Sequence, residues 1–297
     1  MIRNNISEIP SGNTRNRSAA EAEVIAANVD FYRQVAAKYD SSEGYLLDPL
    51  LQQDIEEDLD KINSYFVSVG RTPSCLECGG GTGNLTLKMC ARGWKVTVVD
   101  VSEDMLTALK EKALAKGFSP TLIAAPIERF LADTNETYDL VAFSAVLHHL
   151  YSYASVVERA VLTVCPGGFF YSNLDPVVPR RLLWARCFDS VDIALAKLSY
   201  DPADVLPGIG RRIRKLFLRP HVLFNRAVFS PGDIAEYHAQ SGVDDMQIIH
   251  HLQRAGFLML DHSRYTSGRT RAGRLLNSYI CVLKLFKIIA QRKSEKI

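Results

Sequence analysis

The stretch Ser74-Cys-Leu-Glu-Cys-Gly-Gly-Gly-Thr-Gly-Asn84 decides the fold. An apolar run, Ser74–Cys78, passes directly into four glycines between Gly79 and Gly83, and a helical pattern begins at Asn84. Glycine lacks a Cβ atom, so the backbone can turn sharply here and approach a ligand closely. The free N–H groups at the start of a helix then face that ligand. The stretch therefore predicts a strand, a ligand-binding turn and a helix in succession.

Short apolar runs alternate with helical patterns on both sides of this unit. The predicted strands are Ser74–Cys78, Lys95–Val99, Pro120–Ala124, Asp139–Phe143, Gly168–Asn173, Phe257–Arg264 and Ser278–Leu285. The predicted helices are Ala19–Tyr39, Pro49–Val69, Asn84–Arg92, Glu103–Lys116, Ile127–Leu131, Tyr153–Val164 and Asp244–Arg254. Repeated strand–helix units predict a parallel sheet covered on both faces. No helix separates the last two strands, so we expect them to pair antiparallel.

The predicted fold class is therefore α/β. It is a doubly wound seven-stranded sheet, mostly parallel with an antiparallel last strand, with helices on both faces and a helical insertion after the fifth strand. The composition of the 297 residues, 47% hydrophobic and 23% charged, excludes collagen-like, disordered and coiled-coil chains. The expected segments are a flexible arm at 1–17, N-terminal helices at 18–73, a ligand-binding Rossmann-like core at 74–175, a helical cap at 176–230, the C-terminal part of the core at 231–288 and a tail at 289–297.

Basic residues are concentrated in two segments of the chain. Residues 176–229 contain ten basic and four acidic side chains, and residues 264–297 contain nine and one, although the whole chain is nearly neutral. The remainder is therefore acidic. This distribution predicts a local electropositive surface and makes nucleic acid an unlikely partner for the protein as a whole. Contact of the amphipathic run Arg211–Arg219 with an anionic membrane surface stays open.

Two acids flank the glycine-rich turn. Asp100 ends the second strand, 17 residues after Gly83, where a carboxylate can accept hydrogen bonds from ribose hydroxyls. Capping of the next helix is the alternative role for Asp100, and Ser102 is also placed to provide that cap. Glu77 precedes the turn, and its charge would repel a pyrophosphate but suit a ligand that carries an ammonium group. S-adenosylmethionine fits this description, and a nicotinamide dinucleotide does not.

Five segments together resemble the class I S-adenosylmethionine-dependent methyltransferases. The resemblance covers about 30–175 and 231–285. Glu77–Gly83 resembles the first motif of that family, acid-x-Gly-x-Gly-x-Gly, and Asp100–Leu106 resembles its ribose-binding strand end. The other similar segments are Phe31–Asp40, Tyr138–Leu150 and Val164–Phe170.

The resemblance implies S-adenosylmethionine as the cofactor and methyl transfer as the activity. It implies that Glu77 binds the amino group, that Asp100 holds the ribose and that Ser144 lies beside the methionine portion. The other implied cofactor-binding residues are Gly79, Gly81 and Gly83 in the main-chain cradle and Val101, Met105, Ile127 and Glu128 near the adenine. Many members carry an acid just before the Ile–Glu pair, where this chain has Pro126. The difference implies that adenine recognition at that edge rests on backbone groups, and a solvent-facing role is the alternative for Glu128.

Candidates for chemistry on the methyl acceptor follow the fourth and fifth strands. Histidine titrates near neutrality, so His148 or His149 is placed to remove a proton from an acceptor hydroxyl or amine. A packing role at a helix start is the alternative for both. Tyr151 and Asn173 are candidate substrate contacts by position, and Trp184 is a candidate among the aromatic and basic residues of the cap. The cap predicts a small or medium-sized acceptor, apolar with an acidic group.

Three other functions remain as alternatives: an RNA methyltransferase that uses the basic insert, a non-catalytic binding protein that keeps the cofactor fold, and an NAD(P) dehydrogenase, which Glu77 disfavours. A zinc site at Cys75 and Cys78 is not expected, because residues three apart on a strand point to opposite faces and no second pair completes a tetrahedral set. The polar N-terminal segment and the unpaired spacing of six cysteines predict a cytoplasmic protein. No apolar stretch is long enough to span a membrane.

Overall fold

The computed structural model describes residues 14–42, 46, 48–177, 235, 237–238, 241–266 and 284–294. Its helices are α1 (Thr14–Val35), α2 (Tyr39–Ser42), α3 (Pro49–Ser68), α4 (Asn84–Ala91), α5 (Glu103–Ala115), α6 (Ile127–Asp133), α7 (Tyr153–Ala160) and α8 (Asp245–Arg254). Its strands are β1 (Ser74–Cys78), β2 (Lys95–Asp100), β3 (Thr121–Ala124), β4 (Tyr138–Ser144), β5 (Val164–Pro176), β6 (Phe257–Thr266) and β7 (Lys284–Arg292).

The seven strands form one sheet in the order β3-β2-β1-β4-β5-β7-β6. Strands β1 to β5 pair in parallel, and β7 pairs antiparallel with both β5 and β6. The predicted seven-stranded, mostly parallel α/β sheet is confirmed, including the antiparallel last strand, whereas the predicted helical insertion lies outside the described residues. The chain reverses its direction of strand addition between β1 and β4, and in such sheets this crevice at the carboxyl ends of the strands is where ligands bind.

The bounds of the first helix and of the last strand differ from the prediction. Helix α1 begins at Thr14, within the expected arm, and β7 runs over Lys284–Arg292, beyond the predicted Ser278–Leu285. The later register buries apolar side chains on both faces of β7, because Phe286 and Ile288 enter one core cluster and Ile289 enters the other. Residues 289–292 are therefore strand and not tail.

Helices cover both faces of the sheet, each over its own apolar cluster. The helices α3, α4 and α5 bury their apolar faces on one side, and α6, α7 and α8 do so on the other. Side chains alternate along β1, so Cys75 packs into the first cluster and Cys78 into the second. Both cysteines are fully buried in the core. Among the described residues no group of histidine, cysteine and acidic side chains is arranged to hold a metal ion.

Local caps set the starts of the helices that frame the crevice. Asp48 accepts hydrogen bonds from the main-chain N–H groups of Leu50 and Leu51 (3.0 and 3.3 Å), and Pro49 occupies the first turn of α3. Ser102 accepts from the N–H of Met105 (3.3 Å) and caps α5. The helix-capping role considered for Asp100 therefore belongs to Ser102, which leaves Asp100 available at the crevice.

The cap predicted for 176–230 lies almost wholly outside the described residues, as do Trp184, the residues of the predicted arm before Thr14, and Ser278 to Leu283 of the predicted last strand. The described chain ends at Val177 and resumes at Ala235. Within the described part of the chain, no helix combines the length and the apolar character needed to cross a membrane.

Gly83 fixes the distance between the glycine-rich turn and α5. Its φ is +94°, and a Cβ atom at this position would come within 2.1 Å of Leu109 Cδ1. We expect Gly83→Ala to lower the free energy of unfolding by more than Gly93→Ala. Gly93 has a similar φ of +76° but open space around it, so its substitution carries only the left-handed strain, about 1–2 kcal/mol. Urea unfolding of both variants measures the difference, and equal losses would contradict this account of Gly83.

Candidate functional site

A cavity, partly open to solvent, lies at the carboxyl ends of β1, β2 and β4. The glycine-rich turn, the ends of β2 and β4, the start of α6 and one face of α1 form its walls. The predicted site residues that line it are Glu77, Gly79, Gly81, Asp100, Val101, Met105, Ile127, Glu128, Ser144, His149 and Tyr151. The topology therefore gathers most of the predicted cofactor-binding residues around one space.

The glycine-rich turn presents its main chain to this cavity. Gly81 has a φ of +52°, in the left-handed region, and its N–H donates to Asp100 Oδ2 (2.8 Å). Gly80 lines the cavity as well, although its role was not predicted. Gly83 does not line the cavity. It lies against Leu109 of α5, and its role in the main-chain cradle stays a prediction.

Glu77 is a buried acid for which the described residues provide no basic partner. Its side chain is 2% exposed, and its carboxylate accepts a hydrogen bond from the hydroxyl of Thr86. Burial raises the pKa of Glu77 to about 8, with a further contribution from the negative charge of Asp100, while the Thr86 hydrogen bond opposes the rise. A cation in the cavity would reverse this effect by favouring the ionised form.

Asp100 connects the glycine-rich turn to the start of α5. Its two oxygens accept from the N–H groups of Gly81 (2.8 Å) and Ser102 (2.9 Å). Burial raises the pKa of Asp100, while these main-chain hydrogen bonds oppose the rise. Main-chain hydrogen bonds from Gly81, Ser102 and Val101 thus hold the carboxylate at the cavity wall. A carboxylate has about four lone-pair sites, so it can still accept from a further donor.

All the charged side chains among the described residues that line the cavity are acidic: Glu21, Glu77, Asp100 and Glu128. Burial raises the pKa of Glu128, and the negative charge of Glu21 across the cavity adds to the rise. The solvent-facing alternative for Glu128 is not what the structure shows, because this side chain is partly buried at the cavity wall. Such a cavity favours a ligand with net positive charge.

Helix α1 supplies a wall that the sequence interpretation missed. Glu21, Val24, Ile25, Asn28 and Tyr32 all line the cavity. Their spacing of three or four residues puts them on one face of a helix. This spacing is visible in the sequence, but it is typical of any helix that packs on a core, so it does not by itself indicate a cavity wall.

His149 lines the cavity with both ring nitrogens engaged. Its Nδ1 donates to the carbonyl oxygen of Ala235 (2.9 Å), since a carbonyl only accepts, and its Nε2 accepts from the hydroxyl of Tyr32 (2.8 Å). Burial and the neighbouring His148 hold the pKa of His149 well below its usual range. The ring therefore connects α1 to the chain after the insertion, and it has no free lone pair with which to accept a proton.

His148 has a different environment. Its ring lies 3.9 Å from that of His149, centroid to centroid, but it is outside the cavity lining. Asp175 Oδ1 accepts from both the main-chain N–H (3.1 Å) and the ring Nδ1 (2.7 Å) of His148. A carboxylate that accepts at Nδ1 leaves the lone pair of the imidazole on Nε2. Asp175, which is fully buried, holds His148 in the tautomer that a proton acceptor needs.

A bulge in β5 directs Asp175 toward His148. The register with β7 shifts between Asn173 and Asp175, and Leu174 between them has a φ of +64°. A non-glycine residue in this region carries backbone strain, and bulges of this kind redirect side chains near functional sites. The bulge was not predicted, because the apolar pattern of β5 gives no sign of it.

The remaining candidate substrate residues lie in different places. Tyr151 lines the cavity, with its ring 5.3 Å from that of Tyr237. Asn173 does not line it, because its amide donates to the hydroxyl of Tyr171 (2.7 Å), which in turn donates to Asp58 of α3 (3.2 Å). Asn173 is thus part of a buried network outside the cavity lining, and its contact with a substrate stays a prediction. Trp184 lies outside the described residues.

Comparison with known proteins identifies a domain family. Residues 75–168 match the family model described as "Methyltransferase domain". The tRNA 5-carboxymethoxyuridine methyltransferase of Escherichia coli K12 is 30% identical over 164 residues, which are 54% of this chain and 60% of that protein. The ubiquinone biosynthesis O-methyltransferase of Bordetella pertussis is 28% identical over 174 residues, 57% of this chain and 68% of that protein. The chain thus spans roughly two thirds or less of these relatives.

Solved structures share the fold. Magnesium protoporphyrin IX methyltransferase from Synechocystis, with bound SAH, has a TM-score of 0.52 at 16% identity and covers 94% of this chain and all of that one. The 1,6-didemethyltoxoflavin-N1-methyltransferase from Burkholderia thailandensis has the same TM-score and identity, covering 97% of this chain and 93% of that one. At this identity the likeness establishes a shared fold.

The raised pKa of Glu77 makes stability depend on pH. Between about pH 4.5 and pH 8 the folded protein holds a proton on Glu77 that the unfolded chain has lost, so this group lowers the free energy of unfolding as pH rises. We expect Glu77→Gln to remove this dependence. Relative to the wild type, the free energy of unfolding of the variant should increase by on the order of 1 kcal/mol per pH unit across this window. Urea unfolding from pH 5 to 9 measures the difference. A constant difference between the two proteins would show that Glu77 titrates normally.

Proposed function

We propose, from the premise that residues 75–168 belong to the methyltransferase-domain family, that this chain is an S-adenosylmethionine-dependent methyltransferase that acts on a small or medium-sized acceptor. One observation carries the proposal: a glycine-rich turn opens into a cavity in which every charged lining residue among those described is acidic. S-adenosylmethionine carries an ammonium and a sulfonium group, and it has no phosphate for these acids to repel.

The residues at the cavity fit this cofactor. Glu77, buried at the end of β1 without a basic partner, would accept from the ammonium group, which would supply the missing counter-charge. Asp100, fixed by Gly81 and Ser102, would hold the ribose hydroxyls. The apolar residues Val101, Met105 and Ile127 line the cavity together with Glu128 and would enclose the adenine, and Ser144 would lie beside the methionine portion.

The cofactor supplies a methyl group that is already activated by its bond to a positively charged sulfur. In the transfer, the carbon–sulfur bond breaks as a bond forms to the acceptor atom, and the electron pair stays on sulfur. The protein therefore has to align the acceptor and exclude water, which is where most of the rate enhancement of such a step arises. An acceptor that must lose a proton also needs a base.

We assign the role of base to His148, with Asp175 as its positioning residue. The Nδ1 contact with Asp175 (2.7 Å) leaves the Nε2 lone pair available, whereas both nitrogens of His149 are engaged. His148 lies where the chain leaves the core toward residues 178–234. The acceptor would therefore bind between the core and that segment, with Tyr151 at the boundary.

The choice of acceptor rests on the distribution of charge along the chain. The expected acidic group rests on the basic residues between 176 and 229, nearly all outside the described residues, and the described cavity wall adds no basic group. By their names, the relatives act on a tRNA nucleotide and in ubiquinone biosynthesis. We favour a small molecule because most of the basic charge is confined to two segments. Binding to RNA that weakens steeply with salt would favour the alternative of an RNA methyltransferase.

A cytoplasmic location is also part of the proposal.

Isothermal titration calorimetry tests the cofactor assignment. We expect S-adenosylmethionine and S-adenosylhomocysteine to bind and NAD not to bind. Glu77→Gln and Asp100→Ala should each weaken binding of S-adenosylmethionine by about tenfold or more, because each removes a charge-assisted hydrogen bond. Gln53→Ala on the exposed face of α3 is the control and should bind as the wild type does.

Proton exchange gives a second readout in the same experiment. Ammonium binding lowers the pKa of Glu77 from about 8, so complex formation near pH 7 should release a proton from this group. The heat should therefore depend on the ionisation enthalpy of the buffer in the wild type, and less so in Glu77→Gln. The assignment would be refuted if the wild-type protein bound NAD, or if it bound neither S-adenosylmethionine nor S-adenosylhomocysteine.

A further inference from the structure

The bulge in β5 leaves one main-chain N–H group outside the pairing of the sheet. Strand β5 pairs with β7 through Asn173 and Asp175, and Leu174 between them has no opposite residue in that register. A bulged residue is left out of the ladder of hydrogen bonds, and a buried N–H group without an acceptor is unfavourable. Leu174 is only 5% exposed, so its N–H group needs another acceptor.

The hydroxyl of Tyr265 on β6 is that acceptor. Strand β7 lies between β6 and β5, and the Tyr265 side chain spans it so that its oxygen accepts from the N–H of Leu174 (3.2 Å). Burial raises the pKa of Tyr265, and the hydrogen bond from Leu174 opposes the rise. The hydroxyl is therefore protonated at neutral pH and accepts through an oxygen lone pair.

The bulge also changes the face of the sheet to which Asp175 points. Residues two apart on an unbroken strand point to the same face. Asn173 lies opposite Lys287 on β7, however, and Asp175 lies opposite the next residue, Phe286. Adjacent residues of β7 point to opposite faces, so Asn173 and Asp175 do as well. Without the extra residue, Asp175 would share the face of Asn173 and point away from His148.

Main-chain geometry, and not a set of side-chain contacts, directs Asp175. Its Oδ1 accepts from the main-chain N–H (3.1 Å) and the ring Nδ1 (2.7 Å) of His148. Its Oδ2 has no donor among the described residues. No other described side chain therefore holds the carboxylate by a hydrogen bond, and its direction depends on the bulge.

We propose that Tyr265 is a positioning residue for the proton acceptor His148. Its hydroxyl holds the bulge at Leu174, and the bulge directs Asp175 to Nδ1 of His148. The inference rests on the proposed function. In the transfer, Nε2 of His148 takes the proton of the acceptor, the acceptor atom uses the freed electron pair to bond the methyl carbon, and the carbon–sulfur pair stays on sulfur. Tyr265 is outside the cavity lining and acts through the main chain.

Nuclear magnetic resonance of protein labelled with nitrogen-15 histidine tests the inference without knowledge of the acceptor. At pH 8, where an ordinary histidine is neutral, the shifts of the two ring nitrogens show which of them carries the proton. His148 of the wild type should carry it on Nδ1. In Tyr265→Phe we expect the ratio of the Nε2–H to the Nδ1–H tautomer to rise about tenfold, the equivalent of one lost hydrogen bond. Asp175→Ala removes the acceptor itself and gives the size of the full effect.

Hydrogen exchange at the amide of Leu174 reports on the contact itself. This amide should be protected in the wild type and exchange about tenfold faster in Tyr265→Phe, which lacks the hydroxyl. Tyr138→Phe is the matched control. Tyr138 is also buried, at 3% exposure, but its hydroxyl donates to Glu136 (2.8 Å) at the start of β4, the opposite end of that strand from the site. It should change neither measurement, and thermal melts establish that the variants fold.

Three results would overturn the inference while the proposed function stands. The first is an unchanged tautomer ratio in Tyr265→Phe, and the second is an equal change in Tyr138→Phe. The third is a Leu174 amide that exchanges in the wild type as fast as an exposed amide, a result that needs no variant to fold. Failure of the wild type to bind S-adenosylmethionine is a separate outcome. It refutes the proposed function itself, whereas the tautomer is measured without cofactor.

Discussion

The burial of acids without basic partners is the constraint on which the site depends. Glu77 and Asp100 lie at the carboxyl ends of neighbouring parallel strands, and α6 and α1 add Glu128 and Glu21 to the same cavity. Bringing like charges out of water is unfavourable. The pKa values of Glu77, Asp100 and Glu128 are raised because burial disfavours their ionised forms. The fold tolerates this arrangement because hydrogen bonds hold two of the acids, and a cationic ligand would relieve the repulsion.

The sheet and the glycine-rich turn could be predicted from the sequence because their signals are local. Alternating apolar runs and helices determine a parallel sheet, and the order of strands then places the ends of β1 and β2 side by side. Glu77 is the last residue but one of β1, and Asp100 is the last residue of β2. Sequence spacing alone therefore placed both acids at the same edge, and the structure brings them to the same cavity.

The other half of the site depends on contacts between distant parts of the chain, which periodicity does not determine. The stripe on α1 has an ordinary helical spacing, and its role follows only from docking against residues more than a hundred positions away, such as Tyr32 on His149. The two adjacent histidines look equivalent in the sequence. Their difference comes from Asp175 and Ala235, one on each side of the insertion. The register of β7 similarly follows from packing on two faces.

Backbone strain is concentrated on the side of the site where His148 and Asp175 lie. Among the described residues, Ala145 and Leu174 are the non-glycine positions with positive φ. Ala145 follows β4, and Leu174 interrupts the neighbouring strand β5. A hydrogen bond from the N–H of Ala145 to the carbonyl oxygen of Asn173 (2.9 Å) connects the two positions. An unstrained β5 would continue its alternation and turn Asp175 away from His148. The strain therefore maintains the pairing that leaves Nε2 of His148 able to accept a proton.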